Sequence, residues 1–362
     1  MNYVAPWWLP GGNMQTIWAA LHARRFVGPR PVFRRERWAT PDSDFVDVDW
    51  LVESAAMLGT AFPSLPAGGA EPCLRQSGAA KQPLLVVFHG LEGSSASHYA
   101  EAFADVARRR GWAFAVPHFR GCSGELNLAP RAYHSGDFTE IDWMLGRFSR
   151  EHVGPVLAVG ISLGGNALLR WAGEMGAQAG QRVSAVASVC SPLDLTASGW
   201  AIGRGFNRQV YTRMFLRTMV PKALKKLAQH PGLFDRDALL AARDLHAFDN
   251  VFTGPVHGFR GVDDYWARAS AKPHLGRIAI PALALNALND PFVPASSLPL
   301  PAEVSRHVTL WQPAHGGHVG FPVSDFPAHV RAMPEAVAAF LAAQLPASAQ
   351  AVAPQAGQNS AK

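Results

Sequence analysis

At 362 residues, 48% hydrophobic and 17% charged, the chain is large enough to bury a substantial core and too apolar to be disordered. Its formal charge of +6 gathers in Arg24, Arg25, Arg30, Arg34, Arg35 and Arg37 and again across 204–277, but no nucleic-acid motif accompanies it, so no nucleic-acid partner is expected. Cys73, Cys122 and Cys190 are scattered, without metal-ligand spacing, which predicts reduced thiols, and no catalytic metal is expected.

The chain opens Met1-Asn2-Tyr3-Val4-Ala5-Pro6-Trp7-Trp8, lacking the basic and apolar regions of a signal peptide, and no run approaches the roughly 20 apolar residues that span a bilayer. A cytoplasmic protein is expected. The basic clusters suit a solvated face, with peripheral contact to an anionic membrane surface as the alternative, and no protein partner is indicated.

Residues 1–33, rich in Trp, Pro and Gly, predict an irregular segment in which Trp7, Trp8 and Trp18 pack on the body or line a site. Residues 34–38 and the alternating 45–50 predict an antiparallel hairpin across Pro41-Asp42-Ser43-Asp44. Residues 55–81 have no periodicity and predict a loop insertion. Apolar runs at 84–88, 113–116, 156–159, 183–189 and 282–285 predict strands buried on both faces, with helices over 99–109, 138–148 and 163–175 between the early ones. That alternation predicts an α/β fold, a mostly parallel doubly wound sheet with the hairpin as its antiparallel edge. Helical patterns at 208–219, 221–229 and 236–244 predict a helical lid inserted over 196–275 into a single domain spanning 1–345. A last helix over 334–345 precedes an Ala/Gln/Pro-rich tail, 346–362, expected to be disordered.

Gly160-Ile161-Ser162-Leu163-Gly164 stands between a strand pattern and a helix pattern. A serine becomes a useful nucleophile when a tight strand-to-helix turn exposes it beside a base and near oxyanion donors. A carboxylate and a histidine then follow in the order this architecture uses. Asp290, in Asn289-Asp290-Pro291, lies just past the strand at 282–285, where a carboxylate can fix a histidine tautomer. As a structural reading, Asp-Pro is also a common turn. His318, in His315-Gly316-Gly317-His318-Val319-Gly320, is the expected base, with His315 its competitor and a His-x-x-His zinc pair disfavoured for want of the Glu of H-E-x-x-H. His89-Gly90-Leu91-Glu92-Gly93 follows the strand at 84–88, so the backbone N–H groups of Leu91 and Leu163 are the candidate oxyanion donors.

Together with these residues, Pro10-Gly11-Gly12-Asn13-Met14-Gln15-Thr16, Phe119-Arg120-Gly121-Cys122-Ser123-Gly124, Tyr133-His134-Ser135-Gly136-Asp137, Asp263-Asp264-Tyr265-Trp266 and Gly316 to Phe321 make the chain resemble the YheT-like branch of the α/β-hydrolase superfamily, AB hydrolase family four. The resemblance covers about 5–345, and Asn13 stands where that branch has histidine. It implies the α/β-hydrolase fold and a serine esterase or lipase-like activity on small-molecule or lipid esters, such as acylglycerol or phospholipid acyl chains. Arg120 and His134 either shape the site or fix loops. Phe206, Tyr211, Met214, Phe215 and Trp266 either accept an acyl chain or form the lid's own core. The expected chemistry needs no cofactor. Its alternatives are acyl transfer from the same acyl-enzyme and a non-catalytic binding protein on this fold.

Overall fold

The computed structural model describes residues 3–52 and 82–346. The loop insertion expected at 55–81 and the tail expected after 345, beyond Pro346, lie outside the described residues. The five apolar runs form β3 (Leu84–Phe88), β4 (Ala113–Pro117), β5 (Val156–Ile161), β6 (Ala185–Val189) and β7 (Ala282–Leu285), which pair in parallel with one another and with a sixth strand, β8 (Val308–Trp311). Every residue of β3, β5, β6 and β7 is buried, which is why these runs carry no polar alternation.

The hairpin forms β1 (Val32–Ala39) and β2 (Phe45–Val52), and β2 joins the sheet antiparallel to β4, giving the order β1-β2-β4-β3-β5-β6-β7-β8. Arg35 and Arg37 face Asp49 and Asp47 across the hairpin, each at 2.7 Å, while Arg25 and Arg30 both reach Glu101. Much of the N-terminal basic cluster is therefore neutralised inside the protein.

Helices cover both faces of the sheet. Leu84, Val86 and Phe88 meet α3 (Phe138–Glu151) and α4 (Leu163–Met175) through Met144, Leu145, Leu168 and Trp171. Leu85 and Val87 point the other way, onto α2 (His98–Arg109) and the C-terminal helix Ala332–Ala342 through Phe103, Val106 and Leu341. Each fully buried Leu, Val or Phe contributes about 1.5–3 kcal/mol, so these layers are the main stabilising term.

From β3 the chain crosses to β4 on one side and then, from β4, back past β3 to β5 on its other side, so the order reverses between β3 and β5. Loops leaving the carboxyl ends of strands diverge at such a point and open a crevice. The pairing of Phe88 with Gly160 ends β3 one residue short of the end of β5, bringing the segments after each together there.

Two local expectations are corrected. Residues 11–21 are not irregular but form a helix, α1 (Gly11–Leu21). Its buried residues are Gln15, Thr16 and Ala19, so it attaches by hydrogen bonds and close approach and shows no apolar period. In the β6–β7 insertion, 208–229 is one continuous run: a π turn, Arg208–Thr212, passes into the helix Arg213–Gln229, which carries Pro221 inside it. Pro221 is exposed, so its missing N–H interrupts the helix on the solvent side.

Candidate active site

Ser162 follows β5 and precedes α4 with φ 52° and ψ −117°, a left-handed conformation that a non-glycine residue adopts only when its surroundings impose it. What imposes it is the junction: Ser162 N–H donates to Val189 O of β6 at 2.8 Å, and its carbonyl accepts from Gly165 and Asn166. A Cβ at Gly164 would sit 2.5 Å from Phe88 O, so only glycine lets the turn close against β3. Asn166 ties the start of α4 outward, donating to Ser135 O and Ala269 O and accepting from Ala271 N–H.

The structure brings Ser162, His318 and Asp290 into one hydrogen-bonded series. His318 Nε2 lies 3.0 Å from Ser162 Oγ, and His318 Nδ1 lies 2.9 Å from Asp290 Oδ2. The partners assign the tautomer: Nδ1–H donates to the carboxylate and Nε2 accepts from the hydroxyl. Asp290 Oδ1 also accepts from Phe292 N–H at 2.8 Å and Val293 N–H at 3.3 Å, so the acid is at once a turn residue and the imidazole's partner. His315, the competing base, is exposed beside Asn289 and reaches neither residue.

Leu163 and Leu91 line the same cavity as Ser162 and His318. Among the described residues neither backbone N–H has a protein acceptor, leaving both free to donate to a bound group. His89 fixes the loop that carries Leu91. Its Nδ1 faces Gly90 O at 2.7 Å and its Nε2 accepts from Phe119 N–H at 3.0 Å. Burial holds its pKa down at about 3, so the ring stays neutral and keeps both bonds. Glu92, at φ 56°, closes the loop: its N–H donates to Tyr133 Oη, which itself donates to Glu92 Oε1, and Lys222 Nζ binds the same carboxylate.

The residues that sequence reasoning missed come from α1. Gln15 Oε1 accepts from Asn289 Nδ2 at 3.0 Å and Gly316 N–H at 2.9 Å, joining the segments that hold Asp290 and His318. Thr16 Oγ1 accepts from His318 N–H at 2.8 Å and donates to Gly12 O at 2.7 Å. Gly317 permits this approach, since a Cβ there would meet Gly12 O at 2.7 Å. The Gln-Thr pair of the N-terminal block was the available signal. Asn13, the departure from that block, accepts from Tyr211 Oη at 2.9 Å. Tyr211 packs edge-on against Phe292, whose ring lies 4.1 Å from that of His318.

The cavity, about 150 Å³, is walled on its far side by residues of the β6–β7 insertion, including Leu195, Ile202, Phe215, Met219, Phe248 and Trp266. Phe215 and Trp266 thus face the space beside Ser162, whereas Phe206 and Met214 are 53% and 54% exposed on the outer surface. Tyr211 is buried in the contact with Phe292. Arg120 lines the same cavity with its guanidinium held by Asp42, Asp44 and Glu140, so it anchors loops at the cavity wall. His134 is enclosed by the rings of His257, Phe259 and Tyr265, and burial holds its pKa down at about 3.

Cys190, Asp290 and His318 offer three potential metal-ligand atoms within 4.8 Å of one another. Burial, and then the charge of Asp290, push the Cys190 thiol well above its ordinary range, while a metal would need the thiolate. The set fits a packed acid–base pair better than a metal centre. Among the described residues no helix is long and apolar enough to cross a membrane.

A model of the α/β hydrolase fold family matches residues 83–325. The chain is 38% identical to the esterase candidate YheT of Escherichia coli over 85% of its own length and 84% of that protein. It is 29% identical to mouse phospholipase ABHD3, over 82% of this chain and 69% of the relative. It is 28% identical to a yeast monoacylglycerol lipase, over 66% of this chain and 55% of that one. Among solved structures, an esterase of Pyrococcus furiosus aligns with a TM-score of 0.50 at 14% identity, covering 90% of this chain and 100% of that one, a likeness of fold. Sheet, turn and kinship agree: the chain belongs to the α/β-hydrolase fold family, in its YheT-like branch.

Proposed function

We propose that the protein is a serine carboxylic-ester hydrolase in which Ser162 is the nucleophile, His318 the general base and acid, and Asp290 the group that orients and stabilises the imidazolium. The observation that carries this reading is the unbroken series from Asp290 through His318 to a Ser162 held at φ 52° on the wall of an apolar cavity. Relatives named as phospholipase and monoacylglycerol lipase support a lipid ester as substrate.

In the proposed reaction Ser162 Oγ attacks the acyl carbon as His318 Nε2 takes its proton, and the carbonyl π electrons move onto oxygen. The N–H groups of Leu163 and Leu91 donate to that oxyanion, each worth about 10²–10³ in kcat in comparable sites. Collapse of the tetrahedral intermediate expels the alcohol, which receives the proton from His318, and leaves an acyl-serine. Water then attacks with His318 again as base, releasing the carboxylic acid. Every proton passes through one imidazole whose other nitrogen stays bonded to Asp290.

We assign the insertion at 196–275 the role of a lid within a single domain, its inward residues holding the acyl group and excluding water from the acyl-enzyme. The test is turnover of a panel of p-nitrophenyl and glycerol esters by wild type and by Ser162→Ala. Stoichiometric release of acid and alcohol that vanishes in Ser162→Ala is the expected result. Turnover that persists in the variant would remove the assignment.

A further inference from the structure

The helical run that opens the β6–β7 insertion carries opposite chemistry on its two sides. Inward, Tyr211 and Thr212 are buried, Phe215 and Met219 line the cavity beside Ser162, and Lys222 and Lys226 are tied to Glu92 and to the carbonyls of Asn127 and Ala129. Outward, Phe206, Val210 and Met214 recur at four-residue spacing and are 53%, 37% and 54% exposed. Arg204, Arg208, Arg213, Arg217 and Lys225 stand exposed among and beyond them.

The charge on this face is unopposed. From Leu195 to Phe234 the chain has seven cations and no Asp or Glu. Among the described residues Arg208, Arg213, Arg217 and Lys225 form no ion pair, in contrast to the N-terminal arginines held by Glu101, Asp47 and Asp49. A monomeric protein gains nothing in its own fold from an apolar stripe in water beside unpaired arginines. A basic face with interspersed Phe and Met matches the helices that lie in the headgroup region of anionic bilayers, apolar side chains inserted and guanidinium groups on phosphates.

We propose that this outer face, Phe206, Val210 and Met214 with Arg208, Arg213 and Arg217, docks the protein on an anionic lipid surface. The partner is read from charge complementarity: a continuous cationic stretch selects anionic headgroups, and the apolar stripe selects a bilayer over a soluble acidic ligand. Because the same run walls the cavity from inside, docking places the cavity within one helix diameter of the lipid, about 10–12 Å. The proposal goes beyond ester hydrolysis and is read without turnover, so the two stand or fall separately.

The experiment is co-sedimentation of the full chain with vesicles of phosphatidylcholine alone or with about a third phosphatidylglycerol. The expected result is binding to the anionic vesicles only, abolished by raising salt from about 0.1 M to about 1 M, where the Debye length falls from about 10 Å to 3 Å. In Arg208→Gln/Arg213→Gln/Arg217→Gln, affinity should fall on the order of a hundredfold, at about fivefold per cation. Phe206→Ser/Met214→Ser should weaken binding while leaving hydrolysis of a water-soluble short-chain ester unchanged, which also certifies the fold. Equal binding to both vesicle types, no binding to either, or full binding by the triple variant would each overturn the proposal. So would a concentration-dependent dimer that the triple variant dissolves, since that outcome gives the face to a second copy of this chain.

Discussion

Thr16 shows how much of the site depends on side chains that touch no reacting atom. Its hydroxyl is the acceptor for His318 N–H, so Thr16→Val leaves that amide unbonded at the base of the imidazole. An unsatisfied buried donor costs about 1–3 kcal/mol. If that loss falls on the placement of His318, kcat drops roughly tenfold or more with KM little changed, as steady-state kinetics on a soluble ester would register. A change confined to thermal stability would make Thr16 structural only. Asp290→Asn is more severe, because an amide at that position favours the wrong tautomer of His318; a kcat loss of about 10⁴ is expected. Loss below tenfold would contradict the orienting role. These two residues differ in legibility. Asp290 was readable from its order after Ser162, whereas Thr16 acts across 302 positions of sequence and left only its place in a family block as a sign.

At the scale of elements, the loop after β3 and the helix Arg213–Gln229 are joined through Glu92 and Lys222, with Nζ 2.9 Å from the carboxylate. The pair lies next to Leu91, so it couples the position of a proposed oxyanion donor to the insertion above it. Lys222→Met should lower kcat by about tenfold, the scale of a weakened oxyanion donor, and Lys222→Arg should restore most of it. Equal kcat in wild type and Lys222→Met would show that Tyr133 alone sets the loop.

Within the insertion, Asp249 accepts from Trp266 Nε1 at 2.9 Å, and burial raises its pKa to about 6 from 3.8. Between those values the folded state holds a proton that the unfolded chain has released. Stability therefore falls as pH rises through that window and stays lower above it. Asp249→Asn removes this loss, so its Tm should exceed wild type by a few degrees above pH 7 and match it near pH 4, as thermal melts across pH would show. The strands and the helices flanking them were legible because burial on both faces writes continuous apolar runs into sequence. The helix Gly11–Leu21 was not, because it is held by Gln15 and Thr16 and opens with two glycines. The run through Pro221 was not, because proline normally ends a helix pattern.

For the whole molecule, the reversal of strand order between β3 and β5 explains why residues far apart in sequence meet. It sets the loop of Leu91 against the turn of Ser162, while β7 and β8, farther along the same sheet, bring up Asp290 and His318. Sequence order and motif spacing were enough to anticipate that convergence, since topology fixes it. They were not enough to separate inward from outward apolar residues of the insertion, because Phe206, Met214, Phe215 and Trp266 are chemically alike and differ only in which side of the helical layer they occupy. The proposed reaction needs Ser162 to be an activated nucleophile, and a fluorophosphonate probe reads that most directly. Wild-type protein should lose activity as one phosphonyl group is added per chain, mapped by peptide mass spectrometry to Ser162, with labelling absent in Ser162→Ala and slowed by orders of magnitude in a His318→Ala variant that remains folded. Labelling at another residue, or equal labelling of wild type and Ser162→Ala, would contradict it.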